Sequence, residues 1–78
     1  MIAAPSSVPA VDLAAGDESD DVANLQTMLG QLGYMDLVTG YYGDITASAV
    51  ARFEQDNGID SDGWYGPVTR MALATRAR

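Results

Sequence analysis

The residues best placed to recognise something are four aromatics in two short phrases. Tyr41 and Tyr42 sit in "GYYG" and Trp64 and Tyr65 in "GWYG". The phrases belong to two longer stretches, "GYYGDITASAV" and "GWYGPVTRMAL", which superimpose at an offset of 23 residues from Gly40 to Gly63. An aromatic ring offers a flat apolar face, and Tyr and Trp add a polar handle. That combination suits the apolar face of a sugar ring with its hydroxyls around it. Each phrase also lies beside a helix start, where backbone N–H groups can meet carboxylates. The alternative is that the rings seal the ends of a helical bundle. Alternate rings should differ in burial, with Tyr42 and Tyr65 structural and Tyr41 and Trp64 more exposed. Exposed aromatics mark protein interfaces as well as ligand sites. Around them, Gln55, Asn57 and Asp62 are candidates for a polar groove or for solvated surface.

Catalysis has little to work with. The chain has no His, Cys or Lys, which excludes a triad, a thiolate and an amine nucleophile. Two carboxylates can serve as a glycosidase pair, but a bundle of this size offers no obvious cleft for one, and no catalytic residue is expected. The "DSDG" at Asp60–Gly63 hints at calcium. An EF-hand loop needs a carboxylate at its first position and Glu at its twelfth. With Gly63 at position six those places fall to Gly58 and Thr69, so turn chemistry is the better reading. Neither metal nor cofactor is expected.

The elements that must hold these residues are three helices. "SDDVANLQTMLGQL" has Ser19 as N-cap and Asp20 and Asp21 in a first turn that favours negative charge. Val22, Leu25, Leu29 and Leu32 share one face. Gly30 weakens the interior, and Gly33 suits the position after the end. "DITASAVARFEQDN" carries Ile45, Ala49, Val50 and Phe53 on its apolar face and stops at Gly58. The third helix starts at Pro67, whose missing N–H costs nothing there, and turns Val68, Met71, Ala72 and Leu73 inward. Arg76 and Arg78 come at its end, where positive charge is favoured. Thr46 and Thr69 fall at the third helical position and are expected to satisfy local backbone groups. The repeat is thus a connector and a helix start used twice. Six residues separate Gly33 from Gly40 and four separate Gly58 from Gly63. Three short amphipathic helices must cover one another, so the expected fold is all-α, a compact three-helix bundle over residues 16–78.

Residues 1–15 are expected to form an extended, Pro- and Ala-rich arm, because Pro5 and Pro9 forbid a regular helix. Val8, Val11 and Leu13 are apolar enough to anchor it, either on the domain itself or on a protein partner. As it stands this N-terminus is not a secretory signal, since it lacks a basic region and an unbroken apolar stretch. The net charge of −7, from 11 acids against 4 basic residues, would repel a phosphate backbone, so neither nucleic acid nor an anionic membrane is an expected partner. With 78 residues and no Cys there is one small core and no disulfide, and stability must come from capped helices or a partner.

In order along the chain, the residues now spell a family pattern. Gly16, Asp17, Asp21, Val22, Leu25, Gln26, Leu29, Leu32, Gly33 and Tyr34 open it. Gly40, Tyr42, Gly43, Thr46, Ala49, Val50 and Phe53 continue it, and Gly58, Asp62, Gly63, Gly66, Pro67 and Thr69 complete it. The stretch from about residue 13 to 74 closely resembles the peptidoglycan-binding-like domain, the three-helix cell-wall module attached to amidases, lytic enzymes and transpeptidases. The resemblance implies a non-catalytic module that recognises the glycan or stem peptide of a bacterial wall. Tyr41, Trp64, Tyr65, Asp62 and Gln55 are the residues expected to do so. One departure is Glu54, where the family most often has Gln. The metalloproteinase prodomain of the same fold relies on a Cys that this chain lacks, so its inhibitory role does not carry over. The implied location is the cell wall or extracellular space if the chain is part of a secreted protein. The rival expectation is an accessory protein of a larger assembly, such as a phage particle, held by its arm and virion-associated.

Overall fold

Ser19 begins the first helix as its side chain allows. In the computed structural model, which describes residues 8–76, its hydroxyl accepts from the Val22 N–H at 3.2 Å, satisfying one of the donors a helix start leaves unpaired. The three helices are α1 (Asp20–Gln31), α2 (Asp44–Asp56) and α3 (Pro67–Arg76). Pro67 is the first residue of α3. Among the described residues the only sheet-like pairing is two isolated antiparallel bridges, Leu13 with Tyr65 and Glu18 with Tyr41.

The core is built by Val22, Leu25, Met28 and Leu29 of α1, Ala49, Val50 and Phe53 of α2, Leu73 of α3, and Leu13, Tyr42 and Tyr65 from the connecting chain. Tyr34 stands edge-on to Phe53, with ring centroids 5.7 Å apart, a favoured aromatic geometry. Its hydroxyl donates to Asp56 at 2.6 Å.

Three residues expected on inner faces lie outside. Ile45, Val68 and Met71 are 60%, 62% and 72% exposed. The buried stripe of α2 runs through Thr46, Ala49, Val50, Phe53 and Glu54, one residue out of step with a stripe drawn through Ile45. In α3 the buried residues are Thr69 and Leu73. Apolar periodicity alone misjudges the inner face at the starts of α2 and α3 because Thr46 and Thr69 hold inner positions there.

The stretch expected to be an arm is fastened to the domain where it is described. Leu13 and Tyr65 exchange backbone hydrogen bonds, both 3.0 Å, and Leu13 is 4% exposed. The Tyr65 hydroxyl donates to the Pro9 carbonyl at 2.8 Å, and Val8 packs against the core. Leu13 is therefore spent on its own domain and is not free to anchor a partner. Val11 remains about half exposed. Pro5 and the rest of residues 1–7, with Arg78 at the other end, lie outside the described residues.

Candidate functional site

Each copy of the repeated phrase builds the same joint. In the first, the Tyr42 N–H donates to the Asp17 carbonyl at 2.8 Å, and the Gly16 N–H to the Tyr42 carbonyl at 2.9 Å. In the second, Tyr65 pairs with Leu13. Tyr42 and Tyr65 are both fully buried. Their hydroxyls reach onward, from Tyr42 to the Gly63 carbonyl at 2.5 Å and from Tyr65 to Pro9. Burial pushes both phenols well above their ordinary ionisation range because the charged form is the one desolvation penalises. These rings are structural. Tyr65, expected also as a ligand contact, has no face to offer a ligand.

The outer ring of each phrase folds back over the second glycine. A Cβ placed on Gly66 would lie 2.5 Å from the Trp64 ring, and one on Gly43 3.0 Å from the Tyr41 ring. Glycine at these two positions lets each ring come close against the helix start. Trp64 is 43% exposed and Tyr41 50% exposed, the division between inner and outer rings that the alternation anticipates.

Beneath each ring sits a buried polar residue that sequence reasoning passed over as a ligand or core element. Gln26 is 1% exposed. Its Oε1 accepts from the Thr39 N–H at 2.7 Å and the Gly40 N–H at 2.9 Å. Its Nε2 donates to the Tyr41 carbonyl and the Thr46 hydroxyl, both at 2.9 Å. Glu54, equally buried, accepts from the Gly63 N–H at 2.9 Å through Oε1 and from the Thr69 hydroxyl at 2.5 Å through Oε2. Thr46 and Thr69 thus satisfy long side chains from the preceding helix rather than the local backbone alone. Desolvation raises the Glu54 pKa, the two hydrogen bonds pull it back, and Asp62 pushes it up further. The available signal was position: Gln26 and Glu54 each follow directly on a core residue, Leu25 and Phe53, inside an apolar stripe.

Two grooves result. The one at the α2–α3 joint, about 370 Å³, is lined by Glu54, Asp60, Asp62, Trp64, Val68 and Thr69 among others. The one at the α1–α2 joint, about 300 Å³, is lined by Gln26, Leu37, Tyr41, Ile45 and Thr46 among others. Volumes of this order are those of small-ligand sites. Trp64 and Asp62 are brought together, and Asp62 Oδ1 also accepts from the Trp64 N–H at 2.9 Å. Gln55 is exposed on α2 and does not line the groove. Asn57 turns away as well, donating to the Phe53 carbonyl and accepting from Arg76. Among the described residues no group of three acidic, His or Cys side chains is arranged to hold a metal ion; within Asp60–Gly63 the Asp62 N–H donates to the Asp60 carbonyl at 3.0 Å and Gly63 takes a positive φ of 76°.

Residues 18–73 match the family model for the peptidoglycan binding domain. The chain belongs to that family. A stretch of 55 residues, 69% of the chain, is 42% identical to the N-acetylmuramoyl-L-alanine amidase CwlM of Mycobacterium tuberculosis. A probable N-acetylmuramoyl-L-alanine amidase of Bacillus licheniformis is 41% identical over 59 residues. The matches span only 14% and 17% of those two amidases. The crystal structure of the SleB N-terminal domain superimposes with a TM-score of 0.82 at 29% identity, covering 87% of this chain and 94% of that one. The three-helix fold of the described residues is that of the peptidoglycan-binding domain family, and both repeated phrases of this member fall inside the matched residues.

Proposed function

We propose that this domain binds peptidoglycan through the groove at the α2–α3 joint and performs no catalysis itself. The observation that carries the reading is the Trp64 ring, close against Gly66, 43% exposed and lining a groove that also presents Asp60 and Asp62. The ring stacks on the apolar face of a sugar, and the carboxylates accept from hydroxyl or amide donors of the glycan or its stem peptide. Tyr65 supports the site from inside by fixing the backbone that carries Trp64. The amidase relatives and the family membership support a wall ligand, and the absence of His, Cys and Lys supports recognition without chemistry. A wall or extracellular location follows from that ligand. With a net charge of −7, long-range attraction to anionic wall polymers contributes nothing, so binding rests on short-range contacts. Co-sedimentation with purified sacculi tests this. The protein should pellet with the wall, and recovery of all of it in the supernatant would overturn the reading.

A further inference from the structure

The Tyr41 groove was produced by the same joint as the Trp64 groove, yet it differs in chemistry. The correspondence runs residue by residue: Tyr41 with Trp64, Gly43 with Gly66, Ile45 with Val68, Thr46 with Thr69, and Gln26 with Glu54 beneath. Each outer ring lies over its glycine, and each helix start exposes a β-branched side chain beside it, Ile45 at 60% and Val68 at 62%. Tyr41, Ile45 and Leu37 line one groove while 50%, 60% and 49% exposed, a grouped apolar surface of the kind that marks interaction sites.

The linings then diverge. Glu54, Asp60 and Asp62 place three carboxylates along the Trp64 groove. The Tyr41 groove has one, Asp44, and its floor is the neutral amide of Gln26, flanked by Leu37 and Met35. It is therefore an apolar, nearly uncharged trough with amide and hydroxyl groups at its base. We propose that it is a second carbohydrate site, which takes an uncharged N-acetylated sugar ring of the glycan strand. The apolar face of the ring lies on Tyr41 and Ile45. A peptide bearing several charges is the poorer match, because the trough holds no basic side chain and only one acid. A polymer that repeats its sugars is read by a domain that repeats its groove. This inference rests on the reading of the domain as a peptidoglycan binder.

The test is amide-resolved NMR of the ¹⁵N-labelled protein titrated with peptide-free glycan strands prepared from sacculi. Strands should perturb the amides of Leu37, Tyr41 and Ile45. Those perturbations should survive in Trp64→Ala and fall at least tenfold in affinity in Tyr41→Ala and in Ile45→Asp. The second variant guards against a Tyr41 change that loosens the joint. Perturbation limited to residues around Trp64, or loss of the Tyr41-groove signals in Trp64→Ala, would overturn the second site while leaving wall binding intact. An absence of any perturbation by strands, with sacculi still pelleting the protein, would also overturn it. Failure to bind sacculi at all would remove the underlying reading instead.

Discussion

Gln26 and Glu54 do the same job one helix apart. Each is buried at the base of an outer aromatic, each takes the N–H of the glycine that opens the repeated phrase, and each meets the threonine hydroxyl at the next helix start. They differ in one respect: Gln26 donates to its threonine, whereas Glu54 can only accept. A connector held this way needs no local regular structure, because one long side chain from the preceding helix satisfies its backbone. The outer ring is aimed by that arrangement.

Glu54→Gln should therefore be tolerated, with the Thr69 hydroxyl reversing its role to match Thr46. The folded-state pKa of Glu54 is raised, chiefly by desolvation. Below about pH 4, near the unfolded value, both states hold the proton and its contribution to stability is complete. As pH rises, the unfolded chain loses the proton first, and stability falls until the folded-state pKa is passed. The variant lacks this loss. Its melting temperature should equal the parent's near pH 4 and exceed it at pH 7. A parent that gains on the variant as pH rises from 4 to 7 would contradict the assignment.

Gln26→Ala should cost about 3 kcal/mol in urea unfolding. It strands the Thr39 and Gly40 N–H groups in a part-buried site where each unmet group is expensive, while the Tyr41 carbonyl keeps the Gly43 N–H. A loss under about 0.5 kcal/mol would mean that water replaces the side chain without penalty.

Gly66→Ala separates folding from ring placement. The new methyl collides with the Trp64 ring, which must swing away, while an Ala at the cap costs only about 1 kcal/mol. Trp64 emission should shift to longer wavelength as the ring enters water, with the protein still cooperatively folded. Unchanged emission would show that the ring does not depend on the glycine.

Tyr65→Phe removes the hydrogen bond to Pro9 and leaves that carbonyl short of a donor, at about 1–2 kcal/mol. Leu13→Ala, inside the core, should cost about 2–5 kcal/mol. Both should speed proteolysis near residues 8–13 in the intact chain. The Arg70–Asp12 ion pair, at 3.1 Å and partly exposed on both sides, should contribute far less, so Asp12→Asn is the control expected to leave cleavage almost unchanged.

Much of the architecture was legible in the sequence. Ser19, Gly33, Pro67 and the acidic first turn of α1 mark helix ends by local rules that need no tertiary knowledge. The inner and outer rings of each phrase were separable for the same reason, since adjacent residues of an extended segment point to opposite sides. What escaped was non-local. Thr46 and Thr69 displace Ile45 and Val68 from the core because Gln26 and Glu54 reach across to them, and hydropathy cannot register a hydrogen bond between two helices. The same blindness placed Tyr65 among the ligand contacts, although its hydroxyl is taken by Pro9, and grouped Gln55 with a groove that it does not face. Leu13 read equally well as an anchor for a partner or for its own domain, and only its pairing with Tyr65 decides between them.

Wall binding is proposed to turn on Trp64. The direct measurement is the affinity of the folded Trp64→Ala protein for purified sacculi, set beside the parent. Losing one aromatic stacking contact of about 1.4 kcal/mol weakens binding about tenfold. A loss of that size or more is expected, with an unaltered melting curve. Equal affinity in the two proteins would contradict it.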